Sequence, residues 1–308
     1  MPFMRKEASV STPAPRAKLL HGNAICVGSI FLFSLAFPAA DLLLKDWGVL
    51  GLISIRNMLA FGLILLLFIA LSGVQGLRDL PWVRGFWIGF TGFGIGSTLL
   101  IYAQAISDPI TAALAAAAMP ISAVFIEIIL DKRQLTLPFS IGLVLVLMGG
   151  FVATGAGLTG FNLGWGLMIG LVSVSFFAWG SRASVVNLPE ASPLARTVVT
   201  TFGMWGFTLL LWGLGRVFGW AGAHIPSPSA EHIIPMCIYA LLGVGISQLL
   251  WVKGVGEIGI AIASFHLNAA PFYVMIVMVA FGQNLQITQV IGATILAFGV
   301  ILSQTKKA

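Results

Sequence analysis

The side chains of this sequence that could do chemistry are few, and most lie inside long apolar runs. HExxH, GxSxG, paired aspartates and His/Cys clusters do not occur, so neither a hydrolase nor a metal enzyme is indicated. Cys26 and Cys237 both fall in apolar segments and read as small core residues rather than a disulfide framework. What remains is a set of hydroxyls, amides and aromatic rings at depth: Ser34; Thr98, Tyr102 and Gln104; Ser173, Ser175 and Trp179; Ser247, Gln248 and Trp251; Ser264, His266 and Asn268. Polar groups are costly against lipid, so these should face the interior or a cavity. Pro38, Pro120 and Pro271 free the carbonyls of Ser34, Ala116 and Leu267. Freed backbone groups at membrane depth need a partner or a wet cavity. Such groups bind a solute rather than transform it. The candidate substrate-cavity residues are therefore Ser34, Pro38, Thr98, Tyr102, Pro120, Ser175, Trp179, Gln248, Trp251, Ser264, His266, Asn268 and Pro271. The competing readings are simple kinks for the prolines and packing or interfacial anchoring for His266, Trp179 and Trp251. Ser264, Asn268, Pro271 and Met275 share one helical face, and His266 lies on another, about 200° from Asn268. Both residues meet one spot only if Pro271 distorts the helix. No catalytic residue, metal or cofactor is expected.

The elements that must position these residues are membrane helices. The 308 residues are 58% hydrophobic and 8% charged, against about 25% charged in a soluble domain. So few charges cannot cover a water-exposed surface, which excludes a soluble globule. Apolar runs predict ten helices near 21–44, 49–72, 84–106, 109–130, 137–154, 163–183, 192–216, 232–252, 257–281 and 287–303, preceded by a disordered cytoplasmic tail over 1–18. With the N-terminus inside, only Lys45, Arg56 and Arg216 fall outside, and the other 13 of the 16 Lys and Arg fall inside. Both termini are then cytoplasmic, as an even number of crossings requires. The GFGIGS stretch contains Gly92 and Gly96 in GxxxG spacing, and with Gly243 and Gly245 it suits close helix packing.

Residues 111–150 resemble 261–299. Pro120 matches Pro271, and, after a one-residue slip, Gly142 matches Gly292 and Gly149 matches Gly299. Gly22, Gly28 and Ala36 match Gly164, Gly170 and Ala178 at a constant offset. Two repeats of five spans each must enter the membrane with opposite sense. The predicted fold is an all-α polytopic membrane protein of ten transmembrane helices as two inverted five-helix repeats, residues 19–156 and 157–308. That is a plan of secondary transporters, with substrate held near the midplane between the halves.

Three stretches carry a family likeness: GNAICVGSIFLFSLAFPAADLLLKDWG (22–48) followed by Ser54–Ile55–Arg56–Asn57, the Ala-rich Pro helix ending in DKRQLT (131–136), and residues 268–302. On these the chain resembles the drug/metabolite transporter superfamily, EamA-like branch. Ser247–Gln248–Leu249–Leu250–Trp251 and residues 263–271 look most like the YddG-type amino-acid exporters. The glutamate that such families often carry after the fourth and ninth helices is absent from Asp131–Leu135 and Gly282–Leu285, so no role is carried over for it. The resemblance implies ten helices, export across the bacterial inner membrane and a neutral, amino-acid-like substrate, aromatic or otherwise hydrophobic ones included.

The expected function is alternating-access export of small neutral or zwitterionic metabolites. Multidrug or other metabolite export by the same fold is the alternative, and a membrane-embedded enzyme or channel is the alternative of another class. The lack of a deep Lys/Arg cluster argues against phosphorylated substrates, and the lack of a midplane carboxylate argues for downhill or weakly coupled transport. Expected partners are membrane lipid and the small-molecule substrate, with no nucleic acid.

Overall fold

The computed structural model describes residues 16–131, 137–153, 164–227 and 229–303. Most of the expected N-terminal tail, the Lys132–Leu135 turn and Lys306–Lys307 lie outside the described residues. Among the described residues there are ten apolar helices and no strand: α1 (Arg16–Leu43), α2 (Val49–Ser72), α3 (Trp82–Ala105), α4 (Pro109–Leu130), α5 (Leu137–Ala153), α6 (Trp165–Val186), α7 (Pro193–Val217), α8 (Ala230–Ile260), α9 (Ile262–Ala280) and α10 (Ile287–Ser303). Eight of them are long and apolar enough to cross a membrane; α5 and α10, with 17 residues each, are shorter. At 1.5 Å per residue those two span roughly 26 Å, a little less than a ~30 Å hydrocarbon core.

Local chemistry sets the boundaries. Asp108 caps α4 by accepting from the Ile110 and Thr111 amides, both at 2.9 Å, with Pro109 in the first turn, where its missing N–H costs nothing. Ser192 and Pro193 open α7 in the same manner. The division between α8 and α9 is not the predicted break at 253–256, and Lys253 and Glu257 lie inside α8. The division is made by Gly259, whose φ of 80° a side chain would strain, so the helix breaks there.

Four helices are irregular inside. The α-helical pattern widens to π-helix at Gly89–Gly94 in α3 and at Ile238–Ile246 in α8. In α4 the chain turns at Ala118, just before Pro120; in α9 a 3-10 turn, His266–Ala269, precedes Pro271. Both prolines thus sit in the first turn of a new helical segment, where no N–H is missed. Pro38, by contrast, lies within the continuous α1.

Packing follows the glycines. A Cβ on Gly92 would stand 2.6 Å from the Gly180 Cα, so α3 and α6 touch backbone to backbone. On Gly149 it would meet the Gly292 carbonyl at 2.7 Å, and on Gly299 the Gly142 carbonyl at 2.8 Å, which seats α5 against α10. α1 packs on α8 and α9, while α6 packs on α3 and α4. Two histidine–carboxylate contacts tie α1 and the turn after it to α8: His21 Nδ1 to Glu257 Oε2 and His232 Nε2 to Asp46 Oδ2, each 2.9 Å. Large apolar side chains such as Leu66, Leu71, Val83 and Trp87 face outward, as lipid contact requires.

A further expectation is corrected: Arg56, counted among the outside charges although it falls within the predicted run 49–72, is buried inside the bundle. It lies seven residues into α2, about 10 Å from the helix start, and is only 7% exposed.

Candidate substrate cavity

Two chambers lie in series along the centre of the bundle. The upper, toward the C-terminal end of α1, is a narrow cavity of about 40 Å³. Its walls are Phe33 and Phe37 of α1, Arg56 of α2, Ser97 and Gln104 of α3, Phe177 of α6, Met204 of α7 and the π-helical turn of α8 carrying Tyr239 and Gly243. The lower, about 50 Å³, is walled by Ser29 and Ile30, Ala116 and Met119 of α4, Val174 of α6, Trp251 and Leu267. Phe33, Leu100, Phe177, Ser247 and Gln248 line both, so the two form one track.

The upper chamber is built around the Arg56 guanidinium. Its Nε and Nη2 donate to the Asn57 side-chain oxygen at 2.9 and 2.7 Å, and Nη1 donates to the Tyr239 hydroxyl at 3.0 Å. The Arg56 Cζ also lies 4.8 Å from the Tyr239 ring centre. The network has a direction. Thr208 donates to the Met204 and Trp205 carbonyls and so receives the Asn57 amide N–H at 3.3 Å. That leaves the Asn57 oxygen turned toward Arg56. Among the described residues no carboxylate pairs with Arg56 or lines either chamber. Removing a charge from water costs several kcal/mol, and each hydrogen bond to it typically returns about 1.5–3. A cation kept there with neutral partners alone makes Arg56 a candidate functional group.

At the other end, the Trp251 indole N–H donates to the Ser181 hydroxyl at 2.9 Å, joining α8 to α6 beneath the lower chamber. Ser29 donates to the Ser247 carbonyl at 2.8 Å, and Gln104 to the Phe37 carbonyl at 2.8 Å; both bonds hold α1 to its neighbours. The Gln248 amide nitrogen is buried with no hydrogen-bond partner in the protein, so its N–H groups are free to meet a solute.

Of the predicted residues, the chambers take in Gln248 and Trp251. The others lie elsewhere. Tyr102 is 48% exposed on the outer surface of α3, and Thr98 donates to the Gly94 carbonyl of its own helix. Ser175 and Trp179 line a shallow outward groove with Thr91 and Ile126. Ser34 is fully buried and bonds back to the Ile30 carbonyl. Pro38, Pro120, Ser264 and Pro271 are buried but line neither chamber. His266 and Asn268 line one apolar groove with Val27, Phe272 and Tyr273, between α1, α9 and α10. The 3-10 turn contributes to this: at about 120° per residue it leaves the two side chains about 120° apart the short way round, against about 160° in a regular α-helix.

Arg56 and Tyr239 were not among the candidates. The signal for Arg56 was present, since an arginine followed by asparagine well inside an apolar run is an intramembrane ionisable residue. Tyr239 had no such signal, because its partner comes from a helix 183 residues away in sequence.

No curated protein matches this chain. A solved structure described as "Crystal structure of protein" is similar over 92% of this chain and 96% of its own, with a TM-score of 0.69 and 19% sequence identity. At that identity the likeness is one of fold alone. Residues 20–155, which run from α1 to α5, match the EamA-like transporter family, and the chain is similar to that family over this stretch.

Proposed function

We propose that the protein exports small neutral or zwitterionic metabolites, amino acids among them, by alternating access around the two central chambers. One observation carries this reading: a connected pair of chambers, with buried hydrogen-bonding groups, enclosed by helices from both ends of the sequence.

On this reading the chain makes ten crossings as inverted halves, residues 19–156 and 157–308. The irregularities support it because they come in matching pairs, α3 with α8 and α4 with α9. So does the exchange by which α1 rests on α8 and α9 while α6 rests on α3 and α4. The contact of Gly149 with Gly292 becomes that of Gly299 with Gly142 when the matched residues are swapped, as a two-fold axis between α5 and α10 would require. With Arg56 withdrawn from the exterior, the charge bias for cytoplasmic termini in a bacterial inner membrane grows stronger.

The lower chamber's apolar walls, Ile30, Met119, Val174 and Leu267, favour a second reading, export of hydrophobic drugs. Purified protein in liposomes separates the two. Counterflow of a labelled neutral amino acid, competed by other amino acids and not by cationic drugs, is the expected result. Competition by cationic drugs alone would establish the second reading, and no uptake of either class would refute both.

A further inference from the structure

We propose that the upper chamber is a carboxylate site, and that the substrate's carboxylate is essential to binding while its ammonium group is dispensable. The inference rests on the transporter reading above and narrows its substrate class to amphipathic monocarboxylates, including acids with no amino group.

A guanidinium carries five N–H donors. Three are used by Asn57 and Tyr239, which leaves two on a group that is 93% buried and lines the chamber. The Tyr239 hydroxyl receives from Arg56, so its own hydrogen is available, and the Gln248 amide nitrogen has no partner in the protein. The unused polar atoms in this region are therefore donors around one positive charge, the complement of an acceptor-only anion. A single guanidinium balances a monoanion and leaves a phosphate dianion half-neutralised. Nothing complementary awaits an ammonium group, because no Asp or Glu lines either chamber among the described residues. Below the donors the track turns apolar at Phe33, Val174, Phe177 and Leu267, which suits a hydrocarbon tail. The substrate would lie along the track, head on Arg56 and tail toward Trp251.

The test compares four probes that share one tail: L-phenylalanine, 3-phenylpropionate, L-phenylalanine methyl ester and phenethylamine. Affinity for the purified protein is read by calorimetry, and each probe is then used as competitor in the liposome assay. The two carboxylates should bind within about tenfold of each other, and the ester and the amine at least about tenfold more weakly, the scale of one charge-assisted hydrogen bond. Arg56→Gln should abolish that preference. Where Arg56→Gln fails to fold, Tyr239→Phe decides, since it removes one donor and keeps the ring: the acids should weaken several-fold and the ester remain unchanged. Equal binding of acid and ester, failure of 3-phenylpropionate where phenylalanine binds, a preference surviving Arg56→Gln, or no binding of any probe would each overturn the proposal. In all but the last of these outcomes the transporter reading stands, and there the wider amino-acid and drug panel tests it separately.

Discussion

The bond between the Trp251 indole and Ser181 is the contact whose removal should most directly shift the balance between conformations. Ser181→Ala leaves the indole N–H buried without a partner whenever α6 and α8 are together. On the alternating-access reading proposed above, it leaves it hydrated when they part at the lower end. A stranded buried donor costs about 1–3 kcal/mol, while interhelical hydrogen bonds in membrane bundles average about 0.6 and reach about 1.7. A value of about 1 kcal/mol, charged only to the closed state, raises the open fraction roughly fivefold. The readout is the alkylation rate of a thiol introduced by Ser29→Cys in a background of Cys26→Ala and Cys237→Ser. Ser29 is 1% exposed and lines the lower chamber, whereas Cys237 is exposed and would label by itself. The rate should rise about 3- to 10-fold with Ser181→Ala. Trp251→Phe should raise it as well, through the same lost bond and a smaller ring. Combined, the two should fall short of the product of the single effects by the coupling of about 1 kcal/mol. Unchanged labelling in a Ser181→Ala protein of unaltered thermal stability, or strictly multiplicative effects in the double variant, would refute the gating role.

Two further outcomes follow from the packing and from the cavity walls. Gly292→Leu should lower stability in detergent by at least about 1–3 kcal/mol, because a side chain there runs into the Gly149 carbonyl and Ala153; an unshifted melting temperature would show that α5 and α10 do not pack as described. Gln248→Ala should raise the half-saturating substrate concentration in counterflow, while Tyr102→Ala, on the outer face, should leave it within about twofold; the reverse pattern would place the cavity elsewhere.

Much of the fold was legible because the bilayer imposes a length and a composition on every span. The predicted run at 49–72 coincides with α2, and the run at 109–130 with α4. The glycine and proline matches between the halves fall where helices touch or break, because small residues admit backbone contact and Pro120 and Pro271 each open a new helical segment. The site was less legible. Serine and threonine within helices satisfy themselves on the carbonyl one turn back, as Ser34, Thr98 and Ser175 all do, so depth in an apolar run does not imply a cavity. Rotation about the helix axis decides that, and it depends on neighbours. Irregular turns change it further, as the shared groove of His266 and Asn268 shows.

The sequence by itself determined that this chain is a bundle of membrane helices, where most of those helices begin and end, and which glycines and prolines recur. These are consequences of transfer from water and of backbone sterics, both local to the chain. Only the tertiary structure decided which polar groups share a cavity. Arg56, Asn57, Thr208 and Tyr239 are drawn from three helices spread over 183 residues, and their meeting depends on how those helices pack and turn. In sequence Arg56 could be counted only by its side of the membrane; folded, with its neighbours in place, the same charge is the best-defined feature of the chamber.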